Sequence, residues 1–542
     1  MSTLDKIPCN RCGNFVKSFR IISIETTSPR CARCCANEVV TSAVNSLFHI
    51  SDLILVAPAR ILNFMIPPCN CRISLALCNG SSLCGSPFTF TWIVIISPLD
   101  RVSWYLAANS LAGSPNARVD VSKKENPMHK IGNNLISQYI CQISKDLDSP
   151  NLFLFLMNSF RKVLGVIGGG QLGMMLTEAS KKFPDQISEV IVLDPTIGCP
   201  ATQVGAKQII ADFKDKNAIN ELAEKSDFLT YEIESGDSDI LKSIETKVKI
   251  NPSPDTLKII QDKLSQKKFL SQNQIPVAGF VEINSLSDLK EKISVFGYPS
   301  LLKTRRDAYD GRGNFKINSE NELESAYEKF NGRQMMLEKF IDFKMEVSVI
   351  AARNTEGQIV AYPLVENIHE ENILIMTIVP ARVSNEVAKK ADDIAKKTMN
   401  VLHGAGVFGI EMFITKNENI LINEIAPRVH NSGHHTLQSS KTSQFEQHIR
   451  AILGLKLGET KLIHPTIMYN LLGPKGFQGK YKPIEITPQE GVFLKMYGKK
   501  ESKPKRKLGH VNVVDSTDSE GIEGLLKKVE KIKNSISIQP YG

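Results

Sequence analysis

The most informative twelve residues of this chain read Asn423-Glu-Ile-Ala-Pro-Arg-Val-His-Asn-Ser-Gly-His434. They bring a carboxylate, an amide, a guanidinium and two imidazoles together. The run 419–422 before them predicts a strand, and Glu411 ends a second apolar segment at 406–410. Two acids on neighbouring strand ends, with an asparagine beside one, provide the hard oxygen ligands that a Mg²⁺–nucleotide complex requires. The arginine and histidine suit a second, anionic substrate. The plainer interpretation is an acidic strand followed by a polar loop.

The composition of the 542-residue chain changes near Met157. Overall it is 42% hydrophobic and 23% charged, and its net charge of +9 suits anionic small substrates as well as nucleic acid. Ten of eleven cysteines and both tryptophans lie before residue 157. Charged residues make up 23 of the first 156 positions but 100 of the other 386. We therefore expect the folded part to begin near Met157. Residues 1–156 would be a poorly structured, cysteine-rich extension, either a non-conventional leader or a gene-model artefact.

Two cysteine pairs in this extension have the spacing of a zinc site. Cys9-x-x-Cys12 and Cys31-x-x-Cys34 could supply four thiolates. The other six cysteines before residue 157 follow no matching pattern, so the pairs could equally be unrelated. No secretory signal opens the chain, which disfavours a disulfide framework. The apolar run 91–97 is too short to span a bilayer.

The segment 162–173, Lys-Val-Leu-Gly-Val-Ile-Gly-Gly-Gly-Gln-Leu-Gly, predicts a strand, a glycine turn and a helix. The next predicted strand, 190–193, ends at Asp194, which completes a dinucleotide-binding fingerprint. A nicotinamide dehydrogenase is therefore one alternative, although the same glycines also serve tight packing between strand and helix. Further on, Glu232 and Glu234 alternate with apolar residues and are expected on one strand face. One of them would face a crevice at the carboxyl end of a parallel sheet, unless the strand is a solvated edge.

The central part of the chain contains the elements of a nucleotide site. A helix is expected over 261–270 with Lys263 near its start, and the strand 297–303 ends in a lysine. The glycine loop 309–315 can bring backbone amides close to phosphates, or it can be a simple hairpin turn. No P-loop motif is present in this region. The strand 336–341 has an acid before a short apolar connector, an arrangement suited to adenine and ribose.

The order of lysine, glycine loop, hinge acid and two further acids resembles the ATP-grasp pattern. From about residue 161 onward, the sequence resembles the 5-(carboxyamino)imidazole ribonucleotide synthase family of purine biosynthesis. The resemblance rests on seven strings, which are Gly168–Gly173, Thr230–Glu234, Ala308–Asn314, Asn423–His434, Ser443–Glu446, Tyr497–Lys499 and Arg506–His510. Residues 1–156 have no part in it.

The resemblance implies an α/β, ATP-grasp fold in three parts. These are a Rossmann-like pre-ATP-grasp domain at 160–255, an ATP-grasp domain at 256–455 and a small C-terminal cap at 456–542. It also implies a reaction in which ATP phosphorylates bicarbonate and the exocyclic amine of aminoimidazole ribonucleotide captures the activated carbon. Mg²⁺, or Mn²⁺, would be the metal. A closed lid is needed because carboxyphosphate hydrolyses in open water.

The resemblance also assigns roles to individual positions. ATP is assigned to Lys263, Lys303, Ala308, Tyr309, Asp310, Gly311, Arg312, Gly313, Asn314, Glu338, Lys339, Phe340, Ile341, Glu346, His369, Asn423 and Glu424. The ribonucleotide is assigned to Gly170, Gln171, Leu172, Glu234, Tyr309, Arg312, Lys499 and Arg506. The metal is assigned to Glu411 and Glu424, and catalysis to Asp310, Arg428 and His430. Asp307-Ala308 stands where many relatives have two glycines, which concerns the lid geometry alone.

Further expectations concern the setting of this enzyme. The chain stops at Gly542, without room for a fused mutase domain, so a separate carboxyaminoimidazole ribonucleotide mutase is expected as pathway partner. Relatives are commonly dimers, so a cytoplasmic homodimer that binds neither nucleic acid nor membrane is expected. Another ATP-grasp ligase, such as a formate-dependent ribonucleotide transformylase or a biotin carboxylase, is the nearest alternative. A zinc-ribbon nucleic-acid-binding protein, with salt-sensitive affinity, is the alternative from another class.

Overall fold

The structure is a computed structural model that describes residues 22–25, 57–66, 71–79, 162–306, 313–517 and 519–541. It divides into two compact units, Met1–Asn126 and Pro127–Gly542. The described part of the first unit is an antiparallel sheet in the order β1-β3-β2, formed by β1 (Ile22–Glu25), β2 (Ala57–Ile66) and β3 (Cys71–Asn79). The two cysteine pairs of the predicted zinc site lie outside the described residues.

The second unit begins with a five-stranded parallel sheet in the order β6-β5-β4-β7-β8. Its strands are β4 (Lys162–Ile167), β5 (Ile187–Leu193), β6 (Lys207–Ile209), β7 (Phe228–Tyr231) and β8 (Lys249–Ile250). The helices of this layer are α1 (Gln171–Ser180), α2 (Lys216–Glu224), α3 (Ser238–Ile244) and α4 (Pro254–Gln261). The central strands are continuous apolar runs because helices cover both faces of a parallel sheet. Asp215 and Asp237 cap α2 and α3 by accepting backbone N–H groups of the first turn.

A four-stranded antiparallel sheet follows, in the order β11-β10-β12-β9. Its elements are β9 (Phe280–Ile283), β10 (Ser300–Thr304), β11 (Asn314–Ile317), β12 (Met335–Lys339), α5 (Lys263–Gln272), α6 (Leu286–Phe296) and α7 (Leu323–Lys329). The single helix expected over 261–270 is interrupted at Asp262, whose backbone is extended. Its carboxylate accepts the N–H groups of Leu264 and Ser265 and pairs with Arg305. The break therefore begins a new helix, with Lys263 in its first turn.

The largest layer is a nine-stranded antiparallel sheet in the order β18-β17-β13-β15-β16-β19-β21-β20, with β14 paired to β13. Its strands are β13 (Phe343–Arg353), β14 (Ile359–Ala361), β15 (Val365–Glu370), β16 (Ile373–Val379), β17 (Gly406–Thr415), β18 (Ile420–Ala426), β19 (Thr466–Leu472), β20 (Val492–Met496) and β21 (Lys507–Val514). The accompanying helices are α8 (Asn385–Val401), α9 (Thr436–Ser439), α10 (Gln444–Ile452) and α11 (Gly521–Ser535). The last three strands extend the sheet through the pairing of Met376 with Tyr469.

Helix α10 connects the parallel layer to the large sheet. Eight of its nine residues are buried, and Phe445 and Ile449 share one core with Leu176 and Val192 of the parallel layer. The loop between β18 and α10 is therefore held between two layers, where the twelve-residue motif was expected to be functional. No helix of the described ranges is long and apolar enough to cross a membrane.

Candidate functional site

Two acids of the motif region face each other across neighbouring strands. In the antiparallel pairing of β17 with β18, Glu411 lies opposite Glu424, whereas Met412 pairs with Ile422. Asn423 is therefore the extra residue of a β-bulge, a device that redirects side chains beside active sites. The acids do not stand at strand ends as expected, because β17 continues to Thr415 and β18 to Ala426.

An imidazole and an ammonium group face these carboxylates. His430 Nε2 lies 3.3 Å from Glu411 Oε1, and Lys263 Nζ lies 2.7 Å from Glu424 Oε1. Burial opposes ionisation of Glu411, but His430, His369 and Lys263 outweigh it and hold its pKa at about 2. The same acids outweigh burial at Lys263 and raise its pKa. The side chains of Glu411 and Glu424 are 29% and 47% exposed, so a ligand can reach them.

This donor set fits a Mg²⁺ ion shared with a nucleotide. Within the described ranges, no group of three or more His, Cys, Asp or Glu side chains could hold a metal by itself. Mg²⁺ commonly takes one or two carboxylates and completes its shell with phosphate oxygens and water. Glu411 and Glu424, both reachable, with Asn423 beside Glu424 in the bulge of β18, provide that number of protein ligands.

A second charged cluster lies deeper, around Glu338 of β12. Lys303 Nζ is 2.6 Å from Glu338 Oε2, and Lys267 Nζ is 3.0 Å from Glu338 Oε1. Burial opposes the charge of Glu338, which is 2% exposed, but the two lysines hold its pKa at about 2. For Lys267 burial prevails and lowers the pKa. Sequence reasoning did not single out Lys267. Its position four residues after Lys263, on the same helix face, was the available signal.

The remaining residues assigned to the nucleotide lie around these clusters. Glu346 and His369 form an ion pair on neighbouring strands, and this pair raises the pKa of His369 against the effect of burial. Asn314 pairs with Lys303, as expected for strands that flank a glycine loop, and Thr304 donates its N–H to Gly313. The positions from Ala308 to Arg312 lie outside the described residues, so their roles stay predictions. Lys339 follows in β12, and Phe340 and Ile341 come directly after it.

The loop after β18 brings together two residues that were predicted separately. Arg428 Nη2 lies 2.8 Å from Glu234 Oε1 and 3.0 Å from Glu234 Oε2. The buried Arg428 Nε finds no hydrogen-bond partner among the described residues. A buried donor without a partner is costly, so the geometry suits an acceptor supplied by a ligand.

Gln444, which sequence reasoning missed, fixes the backbone of His430. Its Oε1 accepts the N–H of His430 at 2.9 Å, and its Nε2 donates to the His430 carbonyl at 2.7 Å. Gly409 lies against the imidazole ring, where a Cβ atom would come within 2.6 Å of the His430 side chain. His434, the second imidazole of the motif, is buried against His510 at a ring distance of 4.9 Å. Burial depresses its pKa, which is consistent with a packing role.

The glycine turn at the start of the parallel layer is closed by two acids. Strand β7 ends at Tyr231, so Glu232 and Glu234 do not share a strand face as expected. Glu232 instead accepts the N–H groups of Gly170 and, at 2.8 Å, Gly173, and Asp194 accepts the N–H of Gly169. Burial raises the pKa of Glu232, opposed by these amide bonds.

These contacts occupy the N–H groups of Gly169, Gly170 and Gly173, which disfavours a dinucleotide pyrophosphate at this turn. Gln171 and Leu172, also assigned to substrate, begin helix α1.

Lys499 and Arg506 lie in the segment between β20 and β21, beside the parallel layer. Gln203 of that layer donates to the carbonyl of Gly498 at 2.8 Å. Lys499 Nζ donates to the carbonyl of Lys507 at 2.7 Å. Burial, with help from Arg506 and Lys507, lowers the pKa of Lys499 to about 7. This cluster of cations suits a phosphate group.

Comparisons with known proteins were made for the whole chain. Residues 161–261 match the family of the ribonucleotide synthetase preATP-grasp domain, 268–445 that of the ATP-grasp domain, and 466–523 that of the phosphoribosylaminoimidazole carboxylase C-terminal domain. The chain is 39% identical over 368 residues to the N5-carboxyaminoimidazole ribonucleotide synthase of Bacillus subtilis, covering 68% of this chain and 95% of that protein.

Solved structures give the same relation. The N5-carboxyaminoimidazole ribonucleotide synthetase from Thermotoga maritima is 43% identical, with a TM-score of 0.63, over 70% of this chain and all of that chain. The N5-carboxyaminoimidazole synthase from Aspergillus clavatus, solved in complex with ADP and 5-aminoimidazole ribonucleotide, is 33% identical with a TM-score of 0.62. That match covers 69% of this chain and 99% of that chain. The α/β architecture expected from the sequence is thereby confirmed.

Proposed function

The chain belongs to the N5-carboxyaminoimidazole ribonucleotide synthase family, and on that premise we propose how its own residues perform the reaction. The enzyme is an ATP-dependent ligase that carboxylates the amine of 5-aminoimidazole ribonucleotide with bicarbonate, a step of purine biosynthesis. The observation that carries the proposal is the cross-strand pair of Glu411 and Glu424, reachable from outside and flanked by Lys263 and His430.

The reaction consists of two group transfers. A bicarbonate oxygen attacks the γ-phosphorus of ATP, the bond to the β-phosphate oxygen breaks, and ADP leaves with carboxyphosphate as the other product. The exocyclic nitrogen of the ribonucleotide then forms a bond to the carboxyl carbon, phosphate leaves, and the nitrogen loses one proton. The protein must exclude water from the second step, since carboxyphosphate is lost to hydrolysis otherwise.

The nucleotide is proposed to lie between the four-stranded sheet and the large sheet. Lys263 and Lys303 would contact the phosphates; the Lys263 ammonium group now faces the exposed Glu424, and that of Lys303 faces the buried Glu338. The segment from Glu338 to Ile341 would hold adenine and ribose, with Glu346 and His369 nearby. The glycine loop between β10 and β11 would cover the phosphates, because it connects the two strands that carry Lys303 and Asn314.

Glu411 and Glu424, with Asn423 nearby, are proposed to hold Mg²⁺, or Mn²⁺ in its place. A metal ion bound there would neutralise charge on the phosphate oxygens. The residues contribute in their own right, because Glu411 stays ionised down to a pH of about 2. With a metal ion held there, the Lys263 ammonium group and the His430 imidazole would be available to phosphate and bicarbonate oxygens.

The ribonucleotide and bicarbonate are proposed to occupy the side of the loop after β18. Arg428 has a buried Nε donor without a partner among the described residues, and Glu234 fixes the other end of its guanidinium. That donor suits an oxygen of bicarbonate or of the carboxylated product. Lys499 and Arg506 would hold the ribose phosphate, with Gly170, Gln171 and Leu172 at the adjacent helix start. Asp310, by resemblance, would act on the amine.

The cellular setting is likewise proposed. We expect a cytoplasmic homodimer, as the family resemblance implied, and a separate mutase that receives the carboxylated ribonucleotide. These expectations rest on the resemblance alone, so they call for measurements of their own, by light scattering and by coupled assay.

The test is ADP formation by the full chain with Mg²⁺, ATP and bicarbonate, with and without 5-aminoimidazole ribonucleotide. We expect strong stimulation by the ribonucleotide, together with incorporation of labelled bicarbonate into an acid-labile product. ADP formation that ignores the ribonucleotide, with no label incorporated, would overturn the proposal. Formate would then be the next substrate to try, since a transformylase of the same fold was the nearest alternative.

A further inference from the structure

A line of four side chains leads through the large sheet to the ring of His430. Thr377 Oγ1 donates to Asn367 Oδ1 at 3.2 Å, and Asn367 Nδ2 donates to Ser348 Oγ at 2.9 Å. Ser348 Oγ donates to Ser432 Oγ at 2.7 Å, and Ser432 Oγ lies 2.9 Å from His430 Nδ1. These four residues, which we call the polar chain, come from β16, β15, β13 and the loop after β18.

The polar chain is buried, so its hydrogen bonds cannot be exchanged for water. Thr377, Ser348 and Ser432 are 0% exposed and Asn367 is 6% exposed. A buried hydroxyl or amide that lost its partner would carry a large desolvation penalty. Three neighbouring strands each have a polar side chain at a buried position. The roles assigned to the residues for ATP, metal and ribonucleotide do not explain this.

The donor and acceptor properties of these groups set the direction of each hydrogen bond along the polar chain. An amide nitrogen can only donate, so Ser348 accepts from Asn367 and gives its single hydrogen to Ser432. Ser432 then has one hydrogen left to give, and its neighbour is His430 Nδ1. The backbone N–H of Ser432 also points to that nitrogen, at 3.4 Å. Both contacts require Nδ1 to be an acceptor, so in the neutral ring the proton resides on Nε2.

We propose that Ser432, Ser348, Asn367 and Thr377 are positioning residues that hold His430 in its Nε2–H tautomer. In the ligand-free chain this N–H faces Glu411 Oε1 at 3.3 Å. During turnover this N–H presents a hydrogen-bond donor to an oxygen of the bicarbonate-derived group. This inference rests on the proposed function for the identity of that oxygen, whereas the tautomer rests on the polar chain and on the backbone N–H of Ser432.

A second histidine in the same region supplies a matched control. His435 Nδ1 lies 2.7 Å from Ser439 Oγ, and both residues are fully buried. That pair is local, within one turn of chain, and its ring faces neither Glu411 nor the polar chain. Removing the Ser439 hydroxyl therefore tests the general cost of deleting a buried hydroxyl beside an imidazole.

The experiment is ¹⁵N solid-state NMR of the ligand-free full chain labelled in histidine, with the His430 signals assigned by their loss in His430→Gln. We expect wild-type His430 to show a bare Nδ1 and a protonated Nε2. Ser432→Ala should shift part of the population toward the Nδ1–H tautomer, since the backbone N–H at position 432 remains, and Ser348→Ala should do so to a smaller extent if Ser432→Ala fails to fold. Ser439→Ala should leave the His430 signals unchanged. A protonated Nδ1 in the wild type, or a Ser432→Ala ring that keeps its tautomer, would overturn the proposal.

Kinetics give the second measurement. Loss of an orienting partner should lower kcat about tenfold in Ser432→Ala, with the KM for ATP unchanged. His430→Gln, whose amide nitrogen replaces Nε2, should retain more activity than His430→Asn. Equal kcat losses in Ser432→Ala and Ser439→Ala would reduce the polar chain to a structural role. A wild-type chain that shows the Nε2–H ring but makes no product would contradict the proposed function and leave the tautomer assignment intact.

Discussion

Glu338 and the pair of Glu411 and Glu424 are both acid clusters beside lysines, yet they differ in how they are neutralised. Glu338 lies between Lys303 and Lys267 and is almost wholly buried. The two opposed acids are more exposed, with the Lys263 ammonium beside Glu424 and the His430 imidazole beside Glu411. The Glu338 cluster therefore has more positive than negative groups in the interior. The pair of Glu411 and Glu424 has more negative than positive charge at a partly exposed surface.

This difference predicts which cluster contributes more to stability and which contributes more to ligand binding. A buried ion pair is expensive to break, because removing one partner leaves the other charged and unsolvated. Two opposed carboxylates repel each other, and a bound metal ion would reduce this repulsion more than the neighbouring side chains do. The Glu338 cluster is thus expected to contribute more to the stability of the fold around the nucleotide, and the Glu411–Glu424 pair more to metal binding. Four measurements test this distinction.

The largest effect is expected on activity, from Glu424→Gln. Loss of a metal ligand should lower ribonucleotide-stimulated ADP formation by about 10³-fold, since metal stabilisation of transition-state charge amounts to several kcal/mol. Thermal stability should stay close to wild type, because one of two repelling charges is removed. Glu386→Gln, at an exposed acid of α8 paired with Lys390, is the control. Retention of more than a small fraction of the activity would show that Glu424 is not a ligand.

The next effect is expected on folding, from Glu338→Gln. Two buried lysines would lose their shared partner, at a cost of about 3–5 kcal/mol in the free energy of unfolding, measured with urea. The pKa of Glu338 is about 2 against an ordinary 4.5, so its charge stabilises the fold fully above pH 4.5 and loses effect as the pH falls toward 2. The variant should therefore show a flatter pH dependence in that window. An unchanged urea midpoint would show that Glu338 contributes no more to stability than an exposed acid does.

A smaller effect is expected in the pH dependence of ribonucleotide binding. Lys499 has a pKa of about 7 in the free protein, and a bound phosphate should raise it. Binding should therefore take up a proton above pH 7, and affinity should weaken by up to about tenfold per pH unit there. Calorimetry in buffers of different ionisation enthalpy measures this uptake. Lys499→Arg keeps the charge at all these pH values, so proton uptake that persists in that variant would assign it to another group.

The smallest effect is expected from an exposed ion pair of the same types. Lys389 Nζ lies 2.6 Å from Asp393 on α8, as short as the bond between Lys303 and Glu338. Solvent screens such pairs, so Lys389→Met should leave the urea midpoint unchanged within error. A clear loss of stability would show that the distance between the charged atoms, and not their burial, decides how much an ion pair stabilises the fold.

Much of the candidate site could be anticipated from local patterns. The strings around Lys303, Glu338, Glu411 and Glu424 predicted strands that bear charged groups, and the structure has strands there. Local reasoning went wrong where a side chain overrode a periodic pattern. Asp262 ends one helix and caps the next, and β7 ends before Glu232, which turns back to hold Gly170 and Gly173.

Other features join residues far apart in the sequence, which no local pattern reveals. Lys267 meets Glu338 from another element, Gln444 clamps His430, and the polar chain gathers Thr377, Asn367 and Ser348 from three strands. Each depends on strand order and register, since a shift by one residue would turn these side chains to the opposite face.

The amino-acid sequence alone was sufficient for the family, the α/β architecture and the kinds of groups at the site, because motifs and apolar periodicity are local. The tertiary structure was needed to set Glu411 opposite Glu424 and to leave Asn423 in a bulge. It was also needed to bring the hydrogen bonds of Ser348 and Ser432 to His430 Nδ1. The physical reason is that pairing register, burial and hydrogen-bond direction are collective properties. They arise only when distant strands lie side by side and water is excluded between them.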